Sequence, residues 1–131
     1  MNNPTILVIE DNALNMKLVK SLLKIGNYTV LEAEDAETGI RLARERKPDL
    51  ILMDIQLPGM DGLTATRILK EDTAVNGTPI IALTSHAMEG DEQKALNAGC
   101  AGYISKPIDT RAFLQSIESY FKTDKQISSH T

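Results

Sequence analysis

Three short apolar runs constrain this chain more than any other feature: Ile6-Leu7-Val8-Ile9, Leu50-Ile51-Leu52-Met53 and Pro79-Ile80-Ile81-Ala82-Leu83. Each is bounded by polar or turn residues. Uninterrupted apolar runs this short suit strands buried on both faces, as in a parallel sheet covered by helices. Two weaker runs, Tyr28–Ala33 and Gly102–Ser105, read as edge strands.

Helical patterns separate the runs. Leu14, Leu18, Leu22 and Ile25 recur at helical spacing, with Val19 and Leu23 widening the stripe. They predict a helix over 13–25 with that stripe inward and Gly26 as its C-cap. Residues 36–46 put Ala36, Ile40 and Ala43 on one face, and Pro48 closes the segment. Residues 62–70 and 110–122 are amphipathic in the same way, the second through Phe113, Ile117 and Phe121. Asp61 is the expected N-cap of the former, and Asp109 or Thr110 of the latter. Residues 87–99 form the weakest helix, with Gly90 inside and few apolar positions, and are expected to pack most loosely. Gly59 and Gly62 read as turn residues, Cys100 as a small buried hydrophobe, and Met53 and Met88 as packing.

Strict alternation of strand and helix implies a doubly wound α/β fold: a five-stranded parallel sheet, right-handed crossovers and five helices on both faces. The 131 residues suffice for one domain with a core of its own. Residues 123–131 are polar and read as a frayed tail. The single Cys100 rules out an internal disulfide and a Cys-rich zinc site, and two histidines, His86 and His130, argue against a His-based metal site. A net charge of -4 with no basic patch argues against nucleic-acid binding. No apolar run is long enough to span a membrane. Met1-Asn2-Asn3-Pro4 has neither a basic nor an apolar stretch, so no secretory signal is read and the cytoplasm is the expected compartment.

Ligands of open α/β sheets bind outside the carboxyl ends of the strands, where the strand order reverses. Glu10 and Asp11 follow the first run, Asp54 the third strand, Thr84 and Ser85 the fourth, and Lys106-Pro107 the fifth. With strand order 2-1-3-4-5, Glu10, Asp11 and Asp54 flank one crevice. Like charges that close raise each other's pKa, and a hard divalent cation relieves the repulsion. Carboxylates also serve as nucleophiles that form aspartyl phosphates, and phosphoryl transfer depends mostly on positioning and charge stabilisation. Lys106 and the Thr84 hydroxyl are placed to stabilise phosphoryl oxygens.

Four motifs in order, Val8-Ile9-Glu10-Asp11-Asn12, Leu52-Met53-Asp54-Ile55-Gln56-Leu57-Pro58-Gly59-Met60-Asp61-Gly62, Leu83-Thr84-Ser85 and Tyr103-Ile104-Ser105-Lys106-Pro107, resemble the receiver domains of two-component response regulators. The resemblance covers residues 5–122 and is nearest to single-domain regulators; receivers inside hybrid histidine kinases are similar too. It implies a flavodoxin-like, CheY-like fold, with the receiver at 1–122 and a polar tail at 123–131. It implies Asp54 as phospho-acceptor, Asp11 as a direct Mg²⁺ ligand, Glu10 acting through a water, and Gln56 lending its backbone carbonyl, with Mn²⁺ as a substitute metal. Thr84 and Lys106 match the phosphate-sensing positions, Tyr103 the aromatic switch, and Lys106-Pro107 a peptide bond that is usually cis. Gln56 and His86 occupy the positions that tune phosphoryl lifetime. The implied partners are a sensor histidine kinase or histidine phosphotransfer protein upstream, and a protein target meeting the fourth helix, fifth strand and fifth helix. Such a protein is a switch that catalyses only its own phosphorylation and dephosphorylation. With the receiver filling 5–122, the signal is expected to leave through contacts with another protein.

Two other classes fit less well. A Mg²⁺-dependent phosphohydrolase with an aspartate nucleophile commonly places an acid/base aspartate two residues on, where this chain has Gln56. A flavin or nucleotide module needs Gly, Ser or Thr after the first strand, where this chain has Glu10-Asp11.

Overall fold

The computed structural model describes residues 3–84 and 90–129, the latter part by backbone alone from residue 122. Five strands alternate with five helices: β1 (Thr5–Ile9), α1 (Ala13–Ile25), β2 (Thr29–Ala33), α2 (Ala36–Arg46), β3 (Leu50–Asp54), α3 (Gly62–Glu71), β4 (Ile80–Thr84), α4 (Asp91–Ala98), β5 (Gly102–Ser105) and α5 (Phe113–Ser129). All neighbouring strands are parallel, in the order β2-β1-β3-β4-β5. The parallel sheet expected from the alternation is observed, and its strand order is the 2-1-3-4-5 taken for the crevice.

The apolar runs are the three central strands, buried from Ile6 through Ile9, from Leu50 through Asp54 and from Ile80 through Thr84. Successive side chains point to opposite faces, so each run feeds two cores. Leu7, Ile9, Ile51, Met53, Ile80 and Ala82 pack beneath α2, α3 and α4. Ile6, Val8, Leu50, Leu52, Ile81 and Leu83 pack beneath α1 and α5, with Phe113 and Ile117.

Helix ends follow local chemistry. Asp35 caps α2 through Thr38 N–H at 2.7 Å, and Asp61 caps α3 through Thr64 N–H at 2.8 Å. Asp109 accepts from Arg111 and Ala112 N–H at the entry to α5. Gly26 does end α1, donating to Leu22 O, but at φ -81°; the left-handed residue is Asn27 at φ 68°.

Three expectations change. The inward face of α1 keeps Val19 and Leu23 of the expected stripe and adds Met16, whereas Leu14 and Ile25 are 78% and 71% exposed and Leu18 is exposed as well. Helix α1 carries two apolar stripes, and the sheet takes the one lying over Ile6 and Val8. Helix α5 runs on to Ser129, past the boundary read at residue 122, so most of the polar segment 123–131 continues the helix. Gly62 is the buried first residue of α3 rather than a turn residue, while Gly59 does take a turn conformation at φ 72°. Helix α4 is short, and Ala95 and Ala98 are its buried residues; Ser85, His86 and Met88 lie outside the described residues.

Candidate functional site

The carboxyl ends of four strands deliver the site. Asp54 is the last residue of β3 and Thr84 the last of β4; Glu10 directly follows β1, and Lys106 directly follows β5. The ladder continues one step beyond the strands: Glu10 N–H donates to Ala33 O at 3.0 Å and Lys106 N–H to Thr84 O at 2.6 Å. Both side chains are thereby fixed by sheet geometry. The Lys106-Pro107 peptide bond is cis.

Asp54 is 3% exposed. Its Oδ1 accepts Gln56 N–H at 2.8 Å, and its Oδ2 lies 2.9 Å from Lys106 Nζ. Glu10 is 1% exposed; its Oε2 accepts Asn12 N–H at 3.1 Å, and its Oε1 forms an ion pair with Lys106 Nζ at 2.8 Å. One ammonium thus bridges two buried carboxylates. Asp11 stands exposed beside them, and carboxylate oxygens of Glu10, Asp11 and Asp54 lie within 4.8 Å of one another. The structure brings together the acidic residues and the lysine read from the strand ends. Thr84 is fully buried on the strand next to Asp54, Gln56 is exposed on the loop after β3, and Tyr103 is 41% exposed on β5.

Burial pushes the Glu10 carboxyl above the usual carboxylate range; Lys106 opposes this, and Asp54 adds to it. Burial alone would lower the Lys106 ammonium, but its contacts with Glu10 and Asp54 prevail and hold it above the ordinary lysine value. Three carboxylates and one ammonium leave two formal negative charges, which one divalent cation neutralises. The donors are hard oxygens, the chemistry Mg²⁺ selects. Two buried atoms have unused capacity. Beyond its ion pair, Glu10 Oε1 has no hydrogen-bond partner among the described residues, and neither has Thr84 Oγ1. The site fits a small cation beside an oxyanion.

Sequence reading missed three supporting residues. Asn12 caps α1, its Oδ1 accepting from Asn15 N–H at 3.0 Å; an Asn just before a helical stripe is the available signal. Thr66, fully buried in α3, donates to Gly62 O at 2.8 Å. Gly62 packs against the main chain of Asp54 and Ile55, a contact that only the fold reveals.

Residues 6–118 match the family described as response regulator receiver domain. The polar-differentiation response regulator DivK of Brucella anthropi is 45% identical over 116 residues, covering 88% of this chain and 94% of that protein. Among solved structures, the receiver domain of the sensor histidine kinase PA1611 of Pseudomonas aeruginosa, with a magnesium ion coordinated in its active-site cleft, is similar at TM-score 0.80 and 37% identity. That likeness covers 88% of this chain and 93% of that one. The receiver domain of the Saccharomyces cerevisiae response regulator Ssk1, solved with the histidine phosphotransfer protein Ypd1, is similar at TM-score 0.81 and 28% identity, covering 88% and 87%.

Proposed function

The chain belongs to the response regulator receiver domain family, and we propose that Asp54 is its phospho-acceptor, taking a phosphoryl group from a phosphohistidine. The observation that carries this is the buried Asp54 carboxylate, gripped by Gln56 N–H on one oxygen and Lys106 Nζ on the other, with Glu10 and Asp11 beside it. In the transfer, a P–O bond forms to an Asp54 oxygen while the donor's P–N bond breaks, its electron pair returning to the imidazole. An ionised carboxylate needs no base to activate it, which agrees with Gln56, a residue without acid or base capacity, standing two positions on.

Glu10, Asp11, Asp54 and the Gln56 carbonyl would hold Mg²⁺, with Mn²⁺ as a substitute. When bound, the cation supplies neutralising charge for the phosphoryl oxygens. Lys106 gives up part of its hold on Asp54 to the incoming phosphoryl oxygens, and the Thr84 hydroxyl, without a partner among the described residues, donates to one of them. Tyr103 is the switch aromatic, and Leu96 and Tyr103, each 41% exposed, mark the face of α4, β5 and α5 as the output surface for a protein target. The exposed Leu14 and Leu18 of α1, the helix that follows Asp11 in the chain, suit a phosphodonor, either a sensor histidine kinase or a histidine phosphotransfer protein. Net charge -4 speaks against nucleic acid as a partner. Among the described residues no helix is long and apolar enough to cross a membrane, and we place the protein in the cytoplasm.

The test is intact mass after incubation with Mg²⁺ and acetyl phosphate. One added phosphoryl group is expected, lost in Asp54→Asn. Persistent labelling of that variant would overturn the assignment, and sustained turnover of phosphomonoesters would favour a phosphohydrolase. The likeness to the PA1611 receiver favours a second reading, a receiver within a hybrid kinase. The mass of the protein isolated from its own cells decides between them.

A further inference from the structure

We propose that Gly62 and Thr66, in the first turns of α3, are positioning residues for phosphoryl transfer: they form a backstop that sets the aim of Asp54 and the place of Gln56. This rests on Asp54 being the acceptor.

The loop 55–61 between β3 and α3 carries Gln56, whose N–H orients Asp54 Oδ1 at 2.8 Å. Its two ends meet where Gly62 N–H donates to Ile55 O at 3.2 Å. At that closure α3 lies directly on the acceptor strand. A Cβ on Gly62 would overlap the Asp54 carbonyl oxygen and stand 2.6 Å from Ile55 Cα and 2.9 Å from the Asp54 carbonyl carbon. All three are main-chain atoms, which cannot swing aside as a flexible side chain does. The absence of a side chain at position 62 therefore fixes how deeply α3 seats behind Asp54.

Thr66 holds that seat. It is fully buried, and its Oγ1 donates to Gly62 O at 2.8 Å. A threonine bonding the carbonyl one turn back is common in helices and slightly bends them. Here the carbonyl belongs to the residue that presses on the acceptor's main chain. The same hydroxyl lies 3.9 Å from Cys100 Sγ, in the connection between α4 and β5, so the backstop is braced against that connection. Displacements of a fraction of an ångström matter at a phosphoryl-transfer site, where catalysis is mostly positioning.

The test compares Thr66→Val, which keeps shape and removes the hydroxyl, with Thr66→Ser, which restores it. Three quantities are read: the Gln56 amide resonance of the metal-free protein, Mg²⁺ affinity by calorimetry, and the phosphorylation rate with acetyl phosphate at saturating Mg²⁺. Thr66→Val is expected to shift the Gln56 resonance and slow phosphorylation about tenfold, with Thr66→Ser close to the parent. Gly62→Ala is expected to do the same more severely; if it fails to fold, the Thr66 pair decides. A Thr66→Val protein with the parent's Gln56 resonance and rate overturns the proposal. Equal impairment of Val and Ser variants also overturns it, since only packing would then be at stake. If the parent protein takes up no phosphoryl group, the acceptor reading fails, and the metal-free Gln56 resonance still decides the positioning role.

Discussion

Lys106 reaches from the end of β5 across β4 to place its Nζ 2.9 Å from Asp54 Oδ2 at the end of β3. The same ammonium ion-pairs with Glu10, so removing it leaves two buried carboxylates facing each other. Lys106→Met is expected to destabilise the metal-free protein by about 3–5 kcal/mol, the usual cost of deleting one partner of a buried pair. It is also expected to tighten Mg²⁺ binding about tenfold, because a competing positive charge is gone. Denaturation with and without Mg²⁺, together with calorimetric titration, checks both. Unchanged Mg²⁺ affinity would show that Lys106 does not share the cation's field.

Glu10 gives the metal-free protein a pH dependence of definite sign. Burial raises its folded-state pKa above the ordinary 4.5. The folded state then holds a proton that the unfolded state has released, so this group's favourable contribution is complete below pH 4.5 and is lost as pH rises through the folded value. Ionisation of Glu10 inside the buried site is a liability that a cation relieves. Glu10→Gln is expected to raise the metal-free melting temperature at pH 7, to flatten its fall above pH 4.5, and to reduce the stabilisation by Mg²⁺. Thermal melts across pH, with EDTA and with Mg²⁺, measure all three. A Gln variant less stable than the parent at pH 7 would contradict the account.

The two apolar stripes of α1 separate stability from recognition. Leu23 is fully buried and Leu14 is 78% exposed. Leu23→Ala is expected to cost about 2–5 kcal/mol, whereas Leu14→Ser should stay within about 0.5 kcal/mol of the parent. Leu14→Ser should nonetheless slow phosphotransfer from a phosphohistidine protein while leaving labelling by acetyl phosphate unchanged. Equal loss with both donors would place Leu14 in the chemistry rather than in docking.

That helix also shows where sequence reasoning stops. The central strands were legible because burial on both faces demands unbroken apolar runs, and the acidic cluster because parallel strands bring their carboxyl ends to one edge. Periodicity places Leu14, Leu18 and Ile25 in one broad stripe with Val19 and Leu23 and leaves out Met16, and only contact with the sheet separates the buried Met16, Val19 and Leu23 from the rest. Residues 123–129 lack an apolar rhythm of their own, yet continue α5, whose preceding turns are anchored on the sheet by Phe113 and Ile117. Gly62 sits beside Asp61 like any turn glycine, and its reason is a main-chain contact eight positions back in the chain.

Thr84 offers the sharpest separation between the resting and the phosphorylated protein. Its hydroxyl is fully buried and unpartnered among the described residues. A buried polar group without a partner costs about 1–3 kcal/mol, so an apolar replacement of the same shape is tolerated or favourable while no acceptor is present. Thr84→Val is therefore expected to leave the unphosphorylated protein as stable as the parent or more so. With a phosphoryl group on Asp54, the parent gains a hydrogen bond to a charged oxygen, a bond of about 1.5–3 kcal/mol that the variant cannot make. The stabilisation gained with beryllofluoride, a stable mimic of the acyl phosphate, should shrink by that amount in Thr84→Val, while Mg²⁺ affinity is unchanged. A variant that loses stability without the mimic, and gains as much as the parent with it, would show that the hydroxyl is satisfied already in the resting state.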